Sequence, residues 1–396
     1  MKILFITETF PYPLDSGGKI ATYQLLQTVS RKHSVHLVAP VHKNPKPAFL
    51  RALPSHIKVT TVIDPKRNVF YTQPKSELLR SVFSLKPFFI SLFESKPLKA
   101  VVDNLLASEK FDVIHIDHIG MAQYLPKKKK HLWILSTQNI EHHLQADIHK
   151  ITAVSVKARF FFRYNALTLK SYEQNVVRVF DQIIALTDDD KSALVSLGVR
   201  PEKILVVPPY GQPTQAAIRQ KPDTLLFIGN LWWKPNADAV EWFITKIFPL
   251  IREARPRVQL NIIGERKKEF ILPKNPQSAV HIHGKVDDLK PFLNATASIL
   301  PIRIGGGVRI KALTAFENGL PVVSTTAGMK GLSAVPEKHY LLADTPESFA
   351  HQTIRLLNDP ALQKSLRRNA LMLLSRVYNK KTIQHSLLRQ YGKTND

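Results

Sequence analysis

The segment Leu300-Pro301-Ile302-Arg303-Ile304-Gly305-Gly306-Gly307-Val308-Arg309-Ile310-Lys311-Ala312-Leu313-Thr314-Ala315-Phe316-Glu317-Asn318-Gly319-Leu320-Pro321-Val322-Val323 holds a strand-like run, three glycines, a helical pattern over Val308–Asn318, a glycine stop and the start of another strand. Arg309 and Lys311 fall in the first turns of that helix. Glycines let backbone N–H groups approach an anion closely, and a helix N-terminus carries partial positive charge. Two cations added there make a cradle for a diphosphate and for the charge that grows on it as a leaving group.

Working outward, the same alternation fills the chain. Strand-like runs at Lys2–Thr7, Val35–Ala39, Val113–Ile116, Leu132–Ser136, Ile183–Leu186 and Ile204–Val207 are separated mostly by helical patterns. After Pro208-Pro209-Tyr210-Gly211-Gln212-Pro213-Thr214-Gln215, which reads as a linker, the alternation restarts at Leu225–Ile228, Leu260–Ile263, Val280–His283, Ser298–Leu300 and Val322–Ser324. Alternating strands and helices predict mostly parallel sheets covered on both faces. The expected architecture is therefore α/β, with two doubly wound Rossmann-like domains at 1–212 and 223–375 facing across a cleft. The last helical segment, within 376–396, is expected to cross back to the first domain. Ligands of open α/β sheets bind beyond the carboxyl ends of the strands, which is where the chemistry is to be sought.

Composition narrows the partners. The 396 residues carry 56 Lys and Arg against 31 Asp and Glu, a net charge of +25, and contain no cysteine. Disulfides, thiolate nucleophiles and Cys-bound metals are excluded. The positive charge divides evenly between the halves, which fits attraction to nucleotides, polyphosphates or anionic surfaces. Without zinc-finger spacing or RNP-like aromatics, nucleic acid is not the expected partner. The apolar run after Met1 is too short for a signal peptide, and no stretch could span a bilayer, so a cytoplasmic protein, or one bound to the inner face of a membrane, is expected. Val69–Val102, which contains Leu78–Phe93 with Phe88, Phe89 and Phe93, is the candidate apolar contact for an anionic membrane, or equally a helix packed on a sheet; Phe160-Phe161-Phe162-Arg163-Tyr164 is a weaker one.

Other segments carry possible chemistry. Gly17-Gly18 precede a helix expected to begin near Lys19 and could contact phosphate or sugar. Phe111–His118 is a strand ending in His115, Asp117 and His118; period-two alternation buries Ile114 and Ile116 on one face and the strand end frees His118, the favoured functional histidine, with His115 the alternative. Asn139-Ile140-Glu141 follows another strand. Asp188-Asp189-Asp190 behind Thr187 reads as a capped helix start, not a metal site, and no other cluster calls for a metal.

Three further stretches, Phe227-Ile228-Gly229-Asn230-Leu231-Trp232-Trp233-Lys234-Pro235-Asn236, Ile262-Ile263-Gly264 and His283-Gly284-Lys285-Val286-Asp287-Asp288-Leu289, precede the Gly-rich segment. Together they resemble the nucleotide-sugar signature of retaining GT-B glycosyltransferases of family 4, the glycosyl transferases group 1, over nearly the whole chain. That resemblance implies a metal-independent transferase moving a sugar from a nucleotide diphosphate donor to a polysaccharide, lipid-linked or lipopolysaccharide acceptor, as in cell-envelope polysaccharide biosynthesis. No cofactor is implied beyond the nucleotide-sugar, which is a substrate. It implies Arg309, Lys311 and Lys234 at the diphosphate, Gly229, Gly306 and Gly307 in the donor cradle, Val286 near the base, and His118 near the transferred sugar. Asn139-x-Glu141 resembles a turn that shapes the acceptor side. The family commonly has two glutamates where this chain has Gly306 and Thr314. Glu317, one helical turn beyond Thr314, is the candidate to replace the ribose acceptor. Loss of both carboxylates leaves a second reading open, a non-catalytic nucleotide-sugar-binding or scaffold protein of the same fold.

Overall fold

The computed structural model describes residues 1–64, 87–151, 156–214, 220–266, 278–286, 288–305 and 308–393, the side chains of 148–151 and 156–162 excepted. The chain divides into two compact units, Met1–Pro209 with Lys381–Asp396, and Tyr210–Lys380. The sequence boundary drawn at 212–223 thus moves to Tyr210, and the second unit runs five residues beyond 375. The expected linker begins the second unit, because the Gly211 N–H donates to Tyr378 O and the Gln212 N–H to the Glu317 carboxylate.

The first unit is built on β1 (Lys2–Thr7), β2 (Ser34–Val41), β3 (Lys58–Ile63), β4 (Val113–Asp117), β5 (Leu132–Ser136), β6 (Gln182–Ala185) and β7 (Ile204–Val206). They form a parallel sheet in the order β3-β2-β1-β4-β5-β6-β7. Central strands of such a sheet are covered on both faces, which is why β1 reads as an unbroken apolar run. Leu4, Ile6, Ile114, Ile116 and Leu135 enter one core cluster, and Ile3, Phe5, Val35, Leu37 and Ile134 the other. The C-terminal helix Lys380–Gln390 completes the second cluster through Leu387 and the following Tyr391. Its Gln384 donates to Thr28 Oγ1, and the Gly392 N–H donates to Gln182 Oε1.

The second unit carries β8 (Lys221–Ile228), β9 (Gln259–Ile263), β10 (Val280–Gly284), β11 (Ala295–Leu300), β12 (Val322–Ser324) and β13 (Leu341–Leu342), parallel and ordered β10-β9-β8-β11-β12-β13. The helix Ile310–Glu317 buries Ala312, Leu313, Ala315 and Phe316 against Leu226, Leu300 and Val322. It starts two residues later than the sequence pattern implies. Arg309 has non-helical dihedrals (φ −81°, ψ 75°), because its guanidinium is held back by the carbonyls of Gly305 and Ala327.

The membrane expectation is corrected where it can be judged. Phe88 and Phe93 are buried and Phe89 half-buried against the first unit's core, so these three side chains are packing residues. Residues 69–86 and the side chains of Phe160–Phe162 lie outside the described residues, as do Gly306, Gly307 and Asp287. Among the described residues, no helix is long and apolar enough to cross a membrane.

Candidate functional site

Each unit gathers its polar side chains at the carboxyl ends of its strands. In the first, the register places Thr7, Asp117 and Ser136 side by side at the ends of β1, β4 and β5. Asp117 is buried and accepts three hydroxyl bonds: Ser136 Oγ to Oδ1 (2.7 Å), and Thr22 Oγ1 (2.6 Å) and Thr7 Oγ1 (2.9 Å) to Oδ2. Burial holds its carboxyl above the usual carboxylate range, and the three hydroxyls offset only part of that rise.

His118 follows at φ 87° and is buried, contrary to the expectation that the strand end frees it. Phe93 and Phe89 cover it, with ring centroids 4.7 and 5.8 Å away. Its Nε2 is 3.2 Å from Glu141 Oε1 and its Nδ1 3.4 Å from Glu8 Oε2. Burial alone would lower its pKa, but Glu8, Glu141 and Asp117 outweigh that and raise it to about 9. His118 thus lies between two carboxyl groups that favour its charged form, while its Nδ1 also accepts from the Gly120 N–H (3.2 Å). His115, the alternative, points to the other face and is fully buried between Phe5 and Tyr391, so burial holds its pKa down at about 3.

The remaining first-unit residues have local explanations. Gly17 and Gly18 lie inside the first turn of the helix Gly17–Val29, two residues earlier than expected, behind the Ser16 cap. A Cβ on Gly18 would sit 2.1 Å from Gln138 Oε1, and Gln138 Nε2 donates to Thr22. The glycine thus makes room for a side chain that braces the Asp117 hydroxyls. Glu141 opens the helix Glu141–Ile151, whose first N–H groups, from Glu141 and His142, donate to the Glu173 carboxylate (2.9 and 3.0 Å). Thr187 caps Asp188–Ser196 by accepting from the Asp190 N–H, so the acidic triplet serves a helix start.

In the second unit, Gly229, Gly264 and Gly284 stand at or just beyond the ends of β8, β9 and β10. Gly264 (φ 151°) is forced, since a Cβ there would lie 2.1 Å from Gly229 O. The close approach brings Asn236 and Lys311 up against Gly229, whose own Cβ would meet Asn236 Nδ2 at 2.9 Å and Lys311 Nζ at 3.1 Å. Asn236 is oriented by donating Nδ2–H to Asn230 O (2.8 Å), which turns Oδ1 toward Lys311 Nζ, 2.5 Å away. Lys311 also lies over the Phe227 ring, 5.1 Å from its centroid. Burial, then the nearby Arg309 charge, pushes the Lys311 pKa down to about 7, and burial pulls Arg309 to about 10. Among the described residues, no carboxylate pairs with Lys311. Two crowded, desolvated cations beside glycine-lined strand ends are stabilised by an anion brought from outside.

Other expected residues divide. Lys234 is exposed at the start of its helix, and Asn236, two residues on, makes the contact to Lys311. Val286 is half-buried against the apolar cluster behind β8. Thr314 turns its hydroxyl back to Ile310 O (3.1 Å). Glu317 accepts from the Gln212 N–H (2.7 Å), and burial raises its pKa. Asn236, Glu8 and Gln138 are not singled out by sequence, and Asp117 stands out only as a carboxylate at its strand end. Asn236 and Asp117 lay inside quoted motifs, but their directions depend on Asn230 O and on strand register. Among the described residues, no group of His, Asp and Glu side chains is placed to hold a metal ion.

Two Rossmann-like parallel-sheet units with these strand orders define the GT-B fold. Residues 222–359, within the second unit, match the family model described as glycosyl transferases group 1. Over 98% of its length the chain is 22% identical to an uncharacterized 44.6 kDa protein in the cps region of Klebsiella pneumoniae, covering 99% of that protein. Staphylococcus aureus TarM, crystallised as a variant with fondaparinux, alpha-GlcNAc-glycerol and UDP, superposes with a TM-score of 0.70 at 11% identity, covering 99% of this chain and 100% of TarM. Anabaena HepE with UDP-glucose superposes with a TM-score of 0.65 at 15% identity, covering 98% and 99% of the two chains.

Proposed function

We propose that this protein is a retaining, metal-independent glycosyltransferase that takes a sugar from a nucleotide diphosphate donor and passes it to a glycan or lipid-linked acceptor. The observation that carries the reading is the Gly229–Asn236–Lys311–Arg309 cluster, a desolvated cationic pair at parallel-strand ends whose Lys311 has no carboxylate partner among the described residues. Bound there, a diphosphate restores the Lys311 charge, and the same cations stabilise the extra negative charge as the sugar–phosphate bond breaks. UDP in the TarM and HepE structures supports a nucleotide donor, and the cps-region relative supports a polysaccharide context. Glu317 remains the ribose candidate, although its carboxylate already accepts one backbone bond. Lys234, Val286, Gly306 and Gly307 are proposed to line the donor, His118 to face the sugar, and Gly17 and Gly18 to contact phosphate or sugar. A thermal-melt panel of nucleotide-sugars tests this reading. At least one donor should raise Tm in the wild type and fail to do so in Lys311→Met, and no stabilisation by any donor would reject it.

A further inference from the structure

We propose that Tyr391, His115 and Ser136 form a hydrogen-bond chain of fixed direction that positions Asp117, making the C-terminal segment part of the first unit's site. Tyr391 Oη is 2.7 Å from His115 Nδ1, His115 Nε2 is 3.0 Å from Ser136 Oγ, and Ser136 Oγ is 2.7 Å from Asp117 Oδ1. All four residues are buried.

The direction follows from which atoms own protons. An Asp117 carboxylate only accepts, so Ser136 must donate its O–H there. The Ser136 oxygen then faces His115 with lone pairs and takes the Nε2–H. A neutral imidazole has one N–H, and burial keeps His115 neutral, so Nδ1 must accept from the Tyr391 O–H. Burial also keeps the Tyr391 phenol protonated. The stacked Phe5 ring, 4.2 Å away and inclined by 16°, fixes the plane of the imidazole. The opposite side of Asp117 is built alike: Gln138 donates to Thr22, and Thr22 to Oδ2.

The consequence falls on His118, whose charged neighbours are Asp117, Glu8 and Glu141. Each hydroxyl bond lowers the buried Asp117 carboxyl, so removing Ser136 favours the protonated acid further and weakens a charge that raises the His118 pKa. Tyr391, His115 and Ser136 are thus positioning residues, and their effect on turnover rests on the transferase reading.

The test is 15N NMR of histidine-labelled full-length protein, which needs no donor. Wild type should carry the His115 proton on Nε2. Tyr391→Phe should leave it on Nε2, held by Ser136 alone, and adding Ser136→Ala should abolish that preference. The His118 titration should fall by about one pH unit in Ser136→Ala and recover in Ser136→Thr, a rescue that filling space alone does not give. An Nδ1–H His115 in the wild type, or a proton that moves to Nδ1 in Tyr391→Phe, overturns the chain. With UDP-glucose as the probe donor, Ser136→Ala should lose about tenfold in kcat, the scale of one bond to a charged group, with KM unchanged. Shifted spectra with unchanged turnover would reject the positioning role. A wild type inert toward every nucleotide-sugar would reject the transferase reading and leave the spectra to decide the chain.

Discussion

Lys311 offers a test in which affinity is tied to pH. Its pKa lies near 7 in the unliganded protein, because burial and Arg309 penalise the ammonium. A diphosphate about one hydrogen bond away favours the charged form and returns the pKa toward the ordinary lysine value of about 10.4. Binding at pH 8 should then take up about 0.9 proton, since at one pH unit above its pKa a base is about nine-tenths neutral. Above pH 7 the cost of reprotonation approaches 1.36 kcal/mol per pH unit, so Kd for UDP should weaken about eightfold between pH 7.5 and 8.5. The sign is fixed: weaker with rising pH. The phosphates cannot supply this slope, because their last ionisation lies near pH 6. Isothermal titration calorimetry at pH 8 in two buffers of different ionisation enthalpy reads the proton count directly. Lys311→Arg, charged throughout, should bind with no slope and no uptake. A wild type without uptake, or the same uptake in Lys311→Arg, would refute the assignment of the shifted lysine to the ligand site.

Three further outcomes are expected. Gly264→Ala should cost about 1–3 kcal/mol and lower Tm, since φ 151° disfavours a side chain and the Cβ meets Gly229 O at 2.1 Å; a neutral effect in a melting curve would show that β8 and β9 can part. Phe93→Ala should cost about 3–5 kcal/mol and leave liposome binding unchanged, whereas a stable variant with weakened vesicle co-sedimentation would return Phe93 to the membrane. Arg309→Ala should lower both turnover and stability, about 1–3 kcal/mol of the latter from the orphaned carbonyls of Gly305 and Ala327, and urea denaturation beside a rate assay would separate the two effects.

The fold was legible because parallel strands buried on both faces are written as apolar runs, as in Lys2–Thr7 and Leu132–Ser136. The strands that escaped were β3, an edge mixing Lys58, Thr60 and Thr61 with its valines, and β13, two residues long. At the site, the glycines and cations of 305–311 announced an anion cradle through local chemistry alone. What alternation could not convey was the company a side chain keeps. His118 looked free at a strand end, yet Phe89, Phe93, Glu8 and Glu141 arrive from separate segments to bury and charge it. Period two did separate His115 from the face of Ile114 and Ile116, but its partner Tyr391 lies 276 residues away. The role of Gly18 was likewise hidden, since only the fold shows that Gln138 fills the space over it.

Sugar transfer from a nucleotide diphosphate at the Lys311 cluster is read by NMR in EDTA from the anomeric signal of a nucleotide-sugar chosen from the melt panel, with wild type and Lys311→Met side by side. Wild type should consume the donor and release nucleoside diphosphate without added metal, giving a product of retained anomeric configuration. Lys311→Met, although folded, should be slower by about ten- to a hundredfold. Donor bound but never consumed would instead support the non-catalytic reading. Consumption at equal rates by both proteins would remove Lys311 from the chemistry.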